Sequence, residues 1–245
     1  MQGHVSILSV SPEAAAMIAS GGRISTMDGT ADEIYANSLS AGQEKNEKLI
    51  GKVLSSGHTS VLEHCYVNLS FENVSVLAEQ FLIEFRLASF TVKSRRYVDF
   101  SKAGYVSPVF TDNVQMAIFE RTVESLFGTY DVLEAAGVPK EDARFVLPYC
   151  FCSNFFCSMN ARELVHVMNE LAYGRGSRIP ELRALGESLF AQCEQQIPFL
   201  AVRKPEAYRQ SDAFCLRQVQ LLTSKAPVTV LAAPQDAEGL ICGAY

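Results

Sequence analysis

The chain has 245 residues, 48% of them apolar, and a formal net charge of −6. That size and composition suit one large domain, or two small ones, around a sizeable core. The acidic balance argues against a general nucleic-acid surface, and no apolar run approaches the roughly 18–20 residues needed to span a bilayer. The opening Met1-Gln2-Gly3-His4 lacks a charged leader before an apolar block, and Gln2 excludes a myristoylation signal. A cytoplasmic protein without nucleic-acid or membrane partners is expected. The seven Cys are odd in number and scattered, which fits a reducing compartment better than a disulfide framework.

In chain order, Val5–Val10 is a β-rich run and a first strand. Ser11-Pro12-Glu13 places Ser at an N-cap and Pro at the first helical position. A helix follows through Ala19, and Gly21-Gly22 ends it. Thr30 or Asp32 opens a longer helical region to about Ser56, closed by Gly57. Cys65–Phe71 alternates polar with apolar residues, a strand with one buried face. Val74 to about Ala88 reads as a helix, and Asp112–Ala136 as a long one with a stripe of Val114, Ile118, Leu126, Tyr130 and Leu133. Pro139–Val146 is a short helix. Phe151–Cys157 is an extended or irregular buried segment in which Cys150, Cys152 and Cys157 serve as small apolar residues, since C-x-C-x4-C matches no common zinc pattern. Asn160–Tyr173 and Pro180–Gln196 are helices. No linker divides the chain, so one domain over 1–225 and a tail over 226–245 are expected, with no metal site.

Four places carry chemistry. Gly57-His58-Thr59-Ser60-Val61-Leu62-Glu63-His64 holds two of the four His. Its Ser60 and Glu63 also form a capping-box pattern, which explains those two residues but neither His. Between Arg86 and Tyr97 lie three Arg, one Lys and two Ser in an otherwise acidic chain. Guanidinium forks and hydroxyls at that density suit phosphate or another anion, although a solvated helix end also accommodates such cations. Arg144 precedes a helix-ending Pro148 and, taken alone, reads more readily as a carbonyl cap than as a ligand. Asn160 is an N-cap, with Arg162 and His166 on one helical face.

These four places resemble, in order and near spacing, the flavin-dependent thymidylate synthase family. Residues 57–64 are similar to its G-H-x-[ST]-x-x-E-H segment. Its signature R-H-R-x-x-S-x-N-E-x-S-x-R-Y is matched at Arg86, Ser89, Ser94, Arg96 and Tyr97, while Glu84, Phe85, Thr91 and Val92 depart from it. Ala143-Arg144-Phe145-Val146-Leu147-Pro148 matches A-R-x-V-L-P, and Asn160, Arg162 and His166 match a later helix whose late Arg falls, by count, on Leu171. The resemblance covers roughly 45–190. It implies an α+β fold with a mixed sheet and long helices, in a homotetramer with active sites shared between subunits. It implies FAD held by His58, Ser60, Arg86, Asn160, Arg162 and His166. Gln80, Ser94, Arg95, Arg96 and Arg144 would hold the nucleotide, with Ser94 and Arg96 nearest the chemistry. The implied reaction is reductive C5-methylation of dUMP to dTMP, with methylenetetrahydrofolate and NADPH as co-substrates. The departures leave two alternatives open. One is a diverged member that binds nucleotide or flavin without methylating, and the other is an enzyme acting on another pyrimidine nucleotide such as UMP. Arg175 or Arg178 is a substitute for the donor absent at Leu171.

Overall fold

Four strands, His4–Val10 (β1), Tyr66–Ser75 (β2), Ala88–Val92 (β3) and Cys152–Asn160 (β4), form one sheet in the order β1-β2-β4-β3. The structure, a computed structural model, describes residues 3–208; the expected boundary at 225 and the tail 226–245 lie outside them. Alternation shapes the sheet. Val67, Leu69 and Phe71 of β2 and Phe155, Cys157 and Met159 of β4 are buried on one face. Asn68 and Ser158 pair on the other, where the Ser158 hydroxyl donates to Asn68 Oδ1 at 2.6 Å. Cys152 and Cys157 are buried in β4, as their apolar neighbours imply.

The sheet is not mixed: all neighbouring pairs are antiparallel. β2 and β3 do run the same way, joined through the helix Val76–Ile83, but β4 inserts between them. A strand arriving some sixty residues later turns two parallel strands into next-nearest neighbours. The helix expected over Val74–Ala88 is correspondingly shorter. Val74 and Ser75 end β2, and Ala88 begins the edge strand β3, whose Ala88, Phe90 and Val92 lean on the core.

The helices are Ala14–Arg23 (α1), Ala31–Ala41 (α2), Gln43–Ser55 (α3), Val76–Ile83 (α4), Asn113–Ala135 (α5), Lys140–Ala143 (α6), Ala161–Ala172 (α7) and Pro180–Gln196 (α8). Gly42, at φ 80°, breaks the long region expected between Thr30 and Ser56 into α2 and α3. Ser11 does not cap α1. It tethers β1 to β2 instead, accepting from the Tyr66 N–H at 2.8 Å. Gly21 and Gly22 do not end α1 but lie inside it, and a Cβ on Gly21 would come within 3.2 Å of the His64 ring. The cap expected at Asn160 is present, accepting from the Glu163 N–H, and Asp112 likewise caps α5 by accepting from the Val114 N–H.

The main core lies between the sheet and α1, α7 and α8. A second cluster of Val76, Phe100, Tyr130, Ala143, Leu147 and Phe151 anchors α5 and α6. Helix α5 buries only Val123 and Tyr130. Val114, Ile118 and Val132 are exposed, and at about 100° per residue they fall on the opposite face. The stripe expected from Val114 to Leu133 is thus split between two sides of the helix. Among the described residues no helix is long and apolar enough to cross a membrane.

Candidate active site

The first turn of α7 forms the floor of a cleft of about 440 Å³. Asn160, Arg162 and His166 line it together with Thr59 and Glu63, and Leu87 closes one side. The spacing of Arg162 and His166 puts both on one helical face, and both are exposed. His58 and Ser60, on either side of the lining Thr59, are exposed, and so is Arg86, next to the lining Leu87. All six residues expected to hold the cofactor therefore lie in the cleft or beside a residue that lines it.

The capping box expected at Ser60 and Glu63 does not form. Thr59–His64 is a 3₁₀ turn with no side-chain cap, and the Glu63 carboxylate reaches Arg162 Nη1 at 2.5 Å. This ion pair joins the His58 segment to α7. Two further residues line the cleft and carried no local signal in the sequence. Lys204 and Tyr208 arrive from the segment after α8, and the Tyr208 hydroxyl lies 2.9 Å from His166 Nδ1. Burial, with Glu170 and Glu163 nearby, pushes the Tyr208 phenol up to about 12, so it stays protonated.

The departures from the motif have definite places. Phe85 is 6% exposed, its ring edge-on to His166 at 5.5 Å between centroids. Glu84 faces outward and pairs with Arg175 at 3.0 Å. Arg175 also lies over the Phe81 ring, so it is already engaged rather than directed at a substrate. Val92 packs against the core. Leu171 is fully buried and would contact any Cβ placed on Gly186. It continues the core stripe of Leu164 and Met168, so no cleft-facing donor is missing there; position counting put it at the site, but helical periodicity puts it inside.

A second group gathers beyond the other end of β3. Arg96 Nε meets the Glu141 carboxylate at 2.6 Å. Arg144 Nε donates to the Glu141 backbone carbonyl at 2.9 Å, the carbonyl-cap role open from the sequence. Ser94 Oγ accepts from the Arg96 N–H at 3.2 Å. Ser94, Arg96 and Arg144 thus gather about Glu141, its carboxylate paired by Arg96, its backbone carbonyl capped by Arg144, and Ser94 held on the Arg96 backbone. Glu141 had read only as part of a helix start, and nothing local ties it to Arg96.

Arg95 departs from its expected role. Its guanidinium turns inward to Glu79 at 2.5 Å and lies over the Phe151 ring at 5.2 Å. Ser153 donates to the same Glu79 oxygen. Glu79 is 2% exposed and Arg95 18%, so Arg95 ties down the loop and is not an open anion donor. Gln80, exposed, donates to the other Glu79 oxygen at 3.2 Å.

A family model described as "Thymidylate synthase complementing protein" matches residues 6–199. The chain belongs to that family. It is 31% identical over 209 residues to a protein of Nitratidesulfovibrio vulgaris named flavin-dependent thymidylate synthase, covering 80% of this chain and 84% of the relative. It is 34% identical over 166 residues to one of the same name from Geobacter sulfurreducens, covering 66% and 70%. The fold is also that of a UMP/dUMP methylase from Streptomyces cacaoi crystallised with 5-Br dUMP. That match has a TM-score of 0.67 and 21% identity, and covers 82% of this chain and 93% of the other.

The donor set of the cleft fits the family's flavin. Arg162 and His166 offer N–H donors, Asn160 an amide, Thr59 a hydroxyl and Tyr208 an aromatic ring, in a space of the size ring cofactors occupy.

Proposed function

We propose that this protein is a flavin-dependent C5-methyltransferase acting on a uridine nucleotide, dUMP to dTMP, with methylenetetrahydrofolate and NADPH as co-substrates. The observation that carries this reading is the meeting of the His58–Glu63 turn and the Asn160–His166 turn in one cleft, joined by Glu63–Arg162. FAD, when bound, supplies the hydride. The protein's part is to bind, orient and neutralise. Arg162 and His166 direct N–H groups into the cleft, with Asn160 holding the end of α7 in place. His58, Ser60 and Arg86 contribute from its edge. Arg96 and Arg144 hold the nucleotide phosphate, with Ser94 as a further hydroxyl partner, and Gln80 reaches the same ligand.

Within one protomer these groups are far apart. β3 separates Leu87 from Ser94, roughly 20 Å at about 3.3 Å per residue. On this reading a complete site takes its cofactor cleft from one subunit and its anion corner from another, in a homotetramer with shared sites. The exposed apolar face of α5 supports the same assembly. A cytoplasmic setting fits the free thiols of Cys65, Cys152, Cys157 and Cys193.

The test is direct. The purified protein is scanned for oxidised-flavin absorbance, then given dUMP, methylenetetrahydrofolate and NADPH, with UMP in a parallel assay. Formation of dTMP is the expected result. A flavoprotein that turns over neither nucleotide would move the protein to the non-methylating alternative.

A further inference from the structure

Glu63 holds Arg162, and Glu84 holds Arg175, so two carboxylates offset two cations around the cofactor cleft. An anionic dinucleotide needs cations that remain available. Arg86 and Lys204 are the cations at or beside the cleft that form no ion pair among the described residues. Lys204 lies beyond the residues 6–199 matched by the family.

Lys204 is held in place by its backbone. Arg203, just before it, reaches Glu187 at 2.8 Å, Glu194 at 3.2 Å and the Tyr173 hydroxyl at 2.7 Å, and lies over the Phe190 ring at 4.1 Å. Asn169, 1% exposed, uses both ends of its amide on the same segment. It donates to the Val202 carbonyl at 2.8 Å and accepts from the Lys204 N–H at 2.6 Å. Asn169 lies one helical turn beyond His166, so the floor of the cleft grips the segment. Four residues on, the Tyr208 hydroxyl meets His166. A segment pinned this firmly presents its side chains with little ordering left to lose.

We propose that residues 202–208 form a cofactor-binding strap, in which Lys204 supplies a cation for the flavin's phosphates and Tyr208 forms an aromatic wall that also orients His166. This rests on the flavin reading above. It names residues that make up for Glu84 and Phe85, where the family carries Arg and His.

The experiment uses the full chain stripped of flavin and titrated with FAD, FMN and riboflavin, binding being followed by quenching of flavin fluorescence. Lys204→Ala should weaken FAD binding by about tenfold or more, the size of a lost charge-assisted contact. It should leave riboflavin unchanged, and Lys204→Arg should restore FAD binding. Tyr208→Ala should weaken all three flavins, and Tyr208→Phe less so. Circular dichroism and melting temperature check that each variant folds. Unchanged FAD affinity in Lys204→Ala and Tyr208→Ala, with Arg162→Ala weakened, overturns the strap and leaves the flavin reading standing. A parent chain that binds no flavin overturns both.

Discussion

Glu63 and Arg162 stand 99 positions apart in the chain and 2.5 Å apart in the fold. Both are about half exposed, so the pair itself adds no more than about 1 kcal/mol to stability. Its effect is geometric, because it fixes the His58 turn against α7 and gives the cleft its two walls. Arg162→Ala should therefore shift unfolding by less than about 1 kcal/mol while clearly weakening FAD binding. Urea titration beside flavin titration separates the two, and an equal loss in both would contradict this account.

On the proposed reading, the Arg96–Glu141 pair sets the affinity of the anion corner. Arg96→Ala should cost about 1.5–3 kcal/mol of nucleotide binding, the value of a charged hydrogen bond. Glu141→Gln removes the internal competitor for Arg96 and should tighten nucleotide binding, not weaken it. Calorimetric titration with dUMP checks both signs. Equal weakening in the two variants would make Glu141 a ligand-side residue and undo the assignment.

The Glu79–Arg95 pair behaves differently because it is buried. Glu79→Ala leaves a guanidinium without its carboxylate and should cost about 3–5 kcal/mol. Glu84→Ala, which breaks an exposed pair with Arg175, should cost no more than about 1 kcal/mol. Chemical denaturation of the two variants measures the contrast.

Restoring the family motif should not help this chain. Phe85→His would place a polar ring in the core beside Phe81 and His166, at about 1–3 kcal/mol without a partner. Glu84→Arg would face Arg175 and turn attraction into repulsion. The double variant should melt lower and gain no FAD affinity. A large gain in affinity and turnover would mean that the two residues are losses and not part of a rebuilt site.

Buried thiols give a pH signature. Burial pushes Cys157 and Cys193 from the ordinary 9.0 up to about 12. The folded state thus holds these protons more tightly than the unfolded chain. Their contribution is intact below about pH 9 and is lost as pH rises from there toward 12. Thiol titration of the native protein at pH 8 should leave both unreacted, and stability should fall across that alkaline window.

What could be read from the sequence was mostly local. Asn160 caps its helix by a bond that reaches three residues on, so pattern alone located it, and the start of α5 near Asp112 was legible in the same way. The four motifs likewise pointed to both clusters. Contacts made across the fold were invisible. Ser60 and Glu63 satisfied a local capping pattern, yet Glu63 bonds to α7. Arg95 read as an anion donor because its partner Glu79 sits on another element. β3 was hidden because its five residues fall inside the basic signature and its pairing partner lies some seventy residues downstream. Lys204 and Tyr208 reach the cleft only through the folding back of α8 and the anchoring by Arg203.

If the exposed apolar face of α5 is a subunit contact, concentration becomes a variable of function. If half of each site belongs to another chain, the working enzyme obeys mass action: diluting it removes sites as well as subunits. Specific activity should then fall on dilution faster than any change in the circular dichroism of the individual chain. A nucleotide that bridges two subunits should oppose that loss, acting as substrate and as the link that keeps the assembly whole.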